Sequence, residues 1–551
     1  MISADSAVAA FPSYMASIAD LIVRRLREAG VAAVFGMPGG GSNLDLIDAA
    51  GRAGLRFVLT ATETAGALAA MAQAEISGLP GACLTTLGPG VASVVNGVAC
   101  ARLDRAPLVV FTDSHPASAA GAFEHQRLNH GALLAPVTKW SATITPETAD
   151  AVMQQAIACT MAPPPGPVHI ECPADSLSVA SGRWPVVSEM PAEATAANQL
   201  ATDPWPLITS LLTRATRPLL LVGLNARRPL DAVAIRSLCA SHGVPAMVTY
   251  KAKGVVPDHD PHFAGVFTNG AIEQGVVAEA DLLIGVGLDP VELIPRPWTY
   301  GQPIINCGPW PAENQHVPFA AQLVTDVPSA VHRLGDLLPC AAWDLDRVRR
   351  EVVAQRQRLC PATDRLAAHR VVHLTADAAA TTARLTVDAG AHMLPATALW
   401  PVSEPNGLLI SNGLSTMGFA LPAAIGAALL DRDDPVIAMT GDGGLLMCAG
   451  ELLTAVRERL RIVTIVFSDG SLSLIDIKQR QRAYAPAGVS LGDIAWCALA
   501  ESLGVAGHVA TTEGELERAL ARALDHRGPS LIEARIDPGT YDETLRAVRG
   551  S

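Results

Sequence analysis

Short runs of β-branched and apolar residues alternate along this chain with longer, Ala-rich stretches of helical character. In the first third the runs are RFVLT (56–60), GACLTT (81–86), PLVVFTD (107–113) and GPVHIECP (166–173). Strands that read as near-continuous apolar segments and alternate with helices predict a parallel sheet covered on both faces. The pattern returns in RPLLLVG (217–223), VPAMVTY (244–250) and ADLLIGVG (280–287). A third block opens near Asp344, where DLDRVRREVVAQRQRL reads as a charged amphipathic helix, and continues through LTVDAG (385–390), PVIAMTGDGG (435–444), RIVTIVFSDG (461–470) and PSLIEARID (529–537). Between the first two blocks, Ala180 to Asp203 loses periodicity and gains Pro and polar residues, as a linker does. The pattern predicts three doubly wound α/β units, 1–182, 200–340 and 350–545, with no sequence-level repeat among them.

Composition agrees and narrows the partners. With 551 residues, 50% of them hydrophobic, the chain is long enough for several packed cores. Forty Lys and Arg against 53 Asp and Glu give a net charge of −13 with no dense basic run, so neither nucleic acid nor an anionic membrane surface is an expected partner. No stretch approaches the roughly 18 uncharged apolar residues of a membrane span, and the N-terminus lacks a basic segment ahead of its apolar one, so a soluble, cytoplasmic protein is expected. The ten cysteines form no CxxC pair and are expected to be buried small hydrophobes rather than zinc ligands or disulfides.

The chemistry concentrates in the third block. A buried strand there ends in Gly441-Asp442-Gly443-Gly444 and passes at once into a helix. Small residues at such a junction let backbone N–H groups approach a phosphate, and an acid at the strand's carboxyl end can bind a hard cation bridging that phosphate. The next buried strand ends in Ser468-Asp469-Gly470-Ser471, so two neighbouring strand ends present Asp442 and Asp469 to one ion. Taken alone, a Gly-Asp-Gly turn also serves simply to enter a helix.

The spacing adds to it: 24 residues separate Gly443 from Ser468. This resembles the diphosphate motif of thiamine-diphosphate (ThDP) enzymes, in which GDG is followed some two dozen residues later by two asparagines. SNGLSTMGFALPAAIGAAL (411–429), TLGPGVASVVNGVACARLDRAPLVV (86–110), VFGMPGG (34–40) and GPVHIECPADS (166–176) extend the likeness over essentially the whole chain, nearest the acetolactate synthase-like branch. The resemblance implies a pyrimidine-binding unit, a Rossmann-like central unit and a diphosphate-binding unit in that order. It also implies a homodimer or homotetramer with active sites between chains.

On this chain the resemblance implies Mg²⁺ held by Asp442, Asp469 and the Ser471 carbonyl, with Gly390, His392, Gly441, Gly443, Gly444 and Leu472 around the cofactor. Met417 falls where the family's bulky residue bends the cofactor, and the Ser415 carbonyl where the 4′-amino group is received. The chain departs at Ser468-Asp469, a carboxylate replacing an amide; both donate oxygen, but added charge beside a diphosphate leaves metal choice and affinity open. Glu63, a helix-start acid favoured by the dipole in any protein, matches the glutamate that protonates the aminopyrimidine ring.

The substrate is less legible. GAFEHQRLNHGALLAPVTKW (121–140) resembles the segment carrying Phe-Gln-Glu in acetolactate synthases, and makes His125 and Gln126 candidates for proton transfer or carbonyl contact; a solvated loop is the alternative. His115 is a weaker candidate; Met393, like His392, falls where the family's third unit passes the cofactor, with support of the phosphate loop as the alternative. Lys478 aligns with the tryptophan of the second-substrate site and either pairs with a substrate carboxylate or is surface charge. The glutamate of pyruvate decarboxylases is replaced by Ile475. The central block reads AGVFTNGA (264–271) and GVGLDP (285–290) where flavin-binding members carry Gly-Met-His-Gly and an arginine, so FAD is not expected. The implied activity is C–C cleavage of a 2-oxo acid or related dicarbonyl with carboligation to an acceptor. A diketone hydrolase, a simple 2-oxo acid decarboxylase and a non-catalytic nucleotide-binding subunit are the alternatives.

Overall fold

A computed structural model describes residues 17–116, 118, 122–177, 203–312, 316–430 and 434–550. The segment read as a linker lies outside the described residues apart from Asp203. Three six-stranded parallel sheets are present, each flanked by helices. The first holds β1 (Ala33–Met37), β2 (Arg56–Leu59), β3 (Gly81–Thr85), β4 (Leu108–Ser114), β5 (Ser141–Thr143) and β6 (Val168–Pro173), in the order β2-β1-β3-β4-β6-β5. The second holds β7 (Pro218–Val222), β8 (Ala246–Val248), β9 (Phe263–Val266), β10 (Leu282–Val286), β11 (Ile304–Gly308) and β12 (Phe319–Val324), in the order β12-β11-β10-β7-β8-β9. The third holds β13 (Leu385–Val387), β14 (Leu408–Ile410), β15 (Val436–Gly441), β16 (Ile462–Ser468), β17 (Ala506–Ala510) and β18 (Ser530–Arg535), in the order β14-β13-β15-β16-β18-β17.

The first and third sheets therefore share one strand order, a repeat of topology that residue identities do not show. The middle sheet has the order of dinucleotide-binding Rossmann folds. Its two turns at the switch point are closed on each other: Asn225 N–H donates to the Gly287 carbonyl at 3.0 Å, and a Cβ on Gly223 would meet Leu288 Cα at 2.5 Å.

One core runs through the first and third units together. Helix Glu63–Ser77 (ETAGALAAMAQAEIS) is buried all round from Ala65 to Glu75 and packs against helix Ala420–Ala428. Small side chains allow the approach; a Cβ on Gly426 would meet the Ala69 carbonyl oxygen at 2.2 Å, and Gln73 Nε2 donates to the Gly426 carbonyl at 3.1 Å. The central unit joins through buried charge. Lys251 Nζ lies 2.6 Å from Glu75 Oε1 and 3.3 Å from Asp104 Oδ2, and donates to the Ile410 carbonyl, touching all three units. Removing one partner from such a buried pair costs about 3–5 kcal/mol.

Helix Leu345–Arg358, capped by Asp344, lies against the central sheet through Val348 and Val352. None of the ten cysteines is in a disulfide; most are buried as expected, while Cys340 is exposed on a loop. Among the described residues no helix is long and apolar enough to cross a membrane.

Candidate active site

Parallel pairing of β15 with β16, with Gly441 opposite Phe467, puts the Asp442 and Asp469 turns side by side at the carboxyl edge of the third sheet. Asp442 is 2% exposed. Its Oδ2 accepts the N–H groups of Asp469 and Gly470, both at 2.8 Å, and its Oδ1 accepts Trp496 Nε1–H at 2.7 Å. Three donors on four lone-pair sites leave Oδ1 one site for a cation. Asp469 Oδ1 accepts Ser471 N–H at 3.0 Å and Oδ2 accepts Ser473 Oγ–H at 2.5 Å, which folds the carboxylate over its own turn. Burial, and then the charge of Asp442, push its carboxyl up to about 6. The turn is paired with a neighbouring loop, which donates Leu491 N–H to the Gly470 carbonyl and accepts Leu472 N–H at the Val489 carbonyl, while among the described residues no backbone N–H takes the Ser471 carbonyl. No group of three or more His, Cys, Asp or Glu side chains forms a metal cluster among the described residues, so a cation here would draw on backbone and ligand oxygens as well.

Around these turns the glycines are seats for side chains. A Cβ on Gly443 would lie 2.5 Å from Leu472 Cδ2 and 3.0 Å from Met417 Cε, so Gly443, Met417 and Leu472 meet at one point. A Cβ on Gly390 would lie 2.6 Å from the His392 ring, and one on Gly441 3.2 Å from His392 Nδ1. His392 stacks on Phe467 at 5.1 Å and is 3% exposed. Its Nε2 is buried without a partner, and burial pushes the imidazole down to about 4. A neutral ring with an orphaned nitrogen fits an anion-binding seat: a diphosphate oxygen beside Nε2 would favour a proton there. Ser415 stands at φ +53° and is exposed.

The turn that holds Ser415 and Met417 is anchored by Asp388, at the end of β13. Its Oδ1 accepts Ala389 and Phe419 N–H groups at 3.0 and 3.1 Å, and its Oδ2 accepts Gly418 N–H at 3.0 Å and Thr440 Oγ–H at 2.8 Å. A Cβ on Gly444 would meet that same Oδ2 at 2.2 Å.

In the first unit Glu63 opens its helix behind the N-cap Thr62, and its Oε1 lies 3.2 Å from where a Cβ on Gly90 would be. The preceding turn is gripped by the third unit: Glu451 Oε1 accepts Ala61 and Thr62 N–H groups at 2.9 and 3.1 Å. The loop with His125 and Gln126 folds back on Gly88, whose Cβ would meet the Gln126 carbonyl oxygen at 2.7 Å, while Gly88 N–H donates to His130 Nε2 at 3.2 Å. Gln126 thus meets the 88–90 turn, which Glu63 also faces, with its backbone at φ +56°, and the His125 and Gln126 side chains are both exposed. The His125 carbonyl pairs with His115 Nε2 at 2.8 Å. No hydrogen bond within the chain joins Glu63 to Met417, Asp442 or Asp469 among the described residues.

The N-terminal TPP binding domain of thiamine pyrophosphate enzymes matches residues 16–133, the central domain 207–334 and the C-terminal TPP binding domain 388–534. Among curated proteins, the catabolic acetolactate synthase of Raoultella terrigena is 30% identical over 94% of this chain and 95% of its own length. The acetolactate synthase of Bacillus subtilis is 28% identical over 94% and 93%. The chain belongs to the thiamine pyrophosphate enzymes, in their acetolactate synthase-like branch. A Pseudomonas aeruginosa protein named "Probable 2-ketoarginine decarboxylase AruI" is 30% identical over 93% of each chain.

For a thiamine pyrophosphate enzyme each matched domain falls on one of the three sheets, the N-terminal match stopping short of β5 and β6 and the C-terminal match starting just after β13, and the Asp442, His392 and Met417 seats all lie in the C-terminal one. Four polar anchors went unread in the sequence: Asp388, Trp496, Glu451 and His130. Asp388 stands inside the LTVDAG run, and its placement at a strand's carboxyl end before Gly390 was the available signal. Trp496 and Glu451 carry no local signal, because their partners lie 54 and about 390 residues away.

Proposed function

We propose that the protein uses ThDP and Mg²⁺ to cleave the C–C bond of a 2-oxo acid or related dicarbonyl and to join the resulting fragment to a second carbonyl compound, as an acetolactate synthase-like carboligase. The observation that carries this reading is buried Asp442 beside Asp469 at paired strand ends, next to neutral His392 with its unpartnered Nε2. Thiazolium, when bound, supplies an electron sink for the broken bond. Asp442, Asp469 and the Ser471 carbonyl would hold the cation, and His392 would hold a proton at Nε2 toward the diphosphate. Met417, propped against Gly443 and Leu472, would bend the cofactor, and the Ser415 carbonyl would receive its amino group. Glu63 would hold the proton at the aminopyrimidine ring nitrogen, with His125 and Gln126 on the substrate side.

The likeness to the family supports a homodimer or homotetramer in which a partner's third unit faces Glu63. The closed turns at Gly223 and Gly287 support leaving FAD out of the reading. The −13 charge supports an enzyme of small molecules without nucleic-acid or membrane-surface partners, which we place in the cytoplasm. The likeness to the Pseudomonas aeruginosa protein favours, as a second reading, decarboxylation ended by protonation. Titration calorimetry with ThDP tests the cofactor and metal: binding that requires Mg²⁺ and vanishes in Asp442→Ala supports the proposal, and equal affinity in EDTA refutes the metal's part. A screen of 2-oxo acids for CO₂, aldehyde and hydroxyketone then separates the readings. Hydroxyketone supports carboligation; aldehyde alone supports the second.

A further inference from the structure

The Met393–Leu394 and Asn412–Ser415 segments, which flank the His392 and Met417 seats, form one wall of a cavity of about 530 Å³. The opposite wall comes from the central unit, Asp289 to Pro295, and from Val548 and Arg549 at the end of the last helix. Its charged and titratable lining is Arg105, Asp289, Glu292, His316, Tyr250 and Arg549. Arg105 Nε is neutralised by Asp289 Oδ2 at 2.9 Å. The two Glu292 oxygens are taken by Leu224 N–H at 2.7 Å and Thr249 Oγ–H at 2.6 Å, and burial pushes that carboxyl up to about 8, so it is uncharged at neutral pH. Burial likewise pushes the Tyr250 phenol up to about 12.

Arg549 is left over. No carboxylate pairs with it among the described residues, and its Nε is buried without a partner, as is His316 Nε2. Its position is rigidly defined, since its carbonyl accepts Arg296 Nη1–H at 3.0 Å and the Val548 carbonyl accepts Ala271 N–H at 2.8 Å. A second cation without a carboxylate partner among the described residues, Lys478, lies across an adjoining cavity of about 380 Å³ that Arg549 also lines. A half-buried guanidinium whose Nε is buried without an acceptor is a site that a planar, two-oxygen ligand fills best.

We infer that Arg549 is a substrate-binding residue that holds a carboxylate which the reaction keeps. The inference rests on the proposed function for the identity of the reaction. A carboxylate that leaves as CO₂ is held back by a cation pairing with its charged form, whereas a retained carboxylate is only positioned by it. Two sources fit: the carboxylate of an acceptor 2-oxo acid, or a distal carboxylate on the donor. The apolar stretch of the wall, Leu103, Val291, Leu293, Leu394 and Val548, would take the carbon chain.

The test uses full-length protein, with and without ThDP and Mg²⁺, titrated with isobutyrate and with isobutyramide, an unreactive charged and neutral pair of one shape. The acid is expected to bind about 10-fold tighter or more, the difference vanishing in Arg549→Gln and surviving in part in Arg549→Lys. Equal binding of acid and amide by the parent, or an unchanged ratio in Arg549→Gln, overturns the inference. Unchanged ThDP affinity in Arg549→Gln confirms that the variant is folded. A parent that fails to bind ThDP sinks the proposed function, while the acid-to-amide ratio of the unloaded protein still decides Arg549. Kinetics then distinguish the sources. A retained acceptor carboxylate predicts that Arg549→Gln loses carboligation from pyruvate but keeps CO₂ release; a distal carboxylate predicts a KM for 2-oxoglutarate raised about 10-fold with pyruvate unaffected.

Discussion

Asp388→Asn isolates what holds the cofactor-facing turn in place. The carboxylate takes four donors on two oxygens, two of them from Gly418 and Phe419, immediately after Met417. A carboxamide that turns its NH₂ toward Gly418 and Thr440 lets the Thr440 hydroxyl accept instead but leaves Gly418 N–H without its charged acceptor, worth about 1.5–3 kcal/mol. Burial still pushes the carboxyl up from 3.8 to about 6 with all four donors in place, so these hydrogen bonds offset only part of the desolvation. Losing even one of the backbone donors from its charged acceptor costs the anchor about 1.5–3 kcal/mol. That deficit falls on the 415–419 turn, where Ser415 already stands at positive φ. ThDP affinity by calorimetry is expected to drop about 10-fold or more, whereas Thr440→Val, which removes one donor and leaves the backbone anchors, has a smaller effect. Asp388→Asn with ThDP affinity within twofold of the parent would refute the anchoring argument.

Glu63→Gln keeps the side chain's size but not its ring-nitrogen proton, so turnover should fall about 10²- to 10⁴-fold with ThDP still bound; C2–H exchange of bound ThDP at the parent's rate would show the role to be misassigned. Asp469→Asn should retain activity with an altered preference among Mg²⁺, Mn²⁺ and Ca²⁺, whereas Asp469→Ala should lose metal-dependent ThDP binding; tight binding by the Ala variant would mean that this carboxylate serves only its own turn. Trp496→Phe removes the indole donor to Asp442 and should weaken metal-dependent binding about 10- to 100-fold, a loss that calorimetry reads and that should be absent when Asp442 is already Ala. Glu451 is pushed up from 4.5 to about 7 by burial. A raised acid stabilises the fold fully below 4.5 and loses that contribution as pH rises through about 7, so Glu451→Gln should gain on the parent by about 3 kcal/mol across that window. Parallel melting curves against pH would contradict this.

Local chemistry along the chain was enough for the central strands, because a strand buried on both faces is apolar almost residue by residue, as in PLVVFTD and RIVTIVFSDG. It was also enough for the Gly-rich turns, since only glycine leaves room where His392 and Leu472 press on the backbone, and for Glu63 at the head of its helix. Short or half-exposed strands such as Ser141–Thr143 and Ala506–Ala510 carry too little apolar signal to be read this way. Strand order, and with it the topology shared by the first and third sheets, depends on which crossovers pack, which no window of sequence contains. The anchors of the site are of the same kind. Trp496 reaches Asp442 across 54 residues, Glu451 grips the Glu63 turn across about 390, and Arg549 shares a cavity with Asp289, already spent on Arg105, and with Glu292, already taken by Leu224 and Thr249. A hydrogen bond or a charge deficit is a property of neighbours in space, so it came into being only when the three units closed on one another.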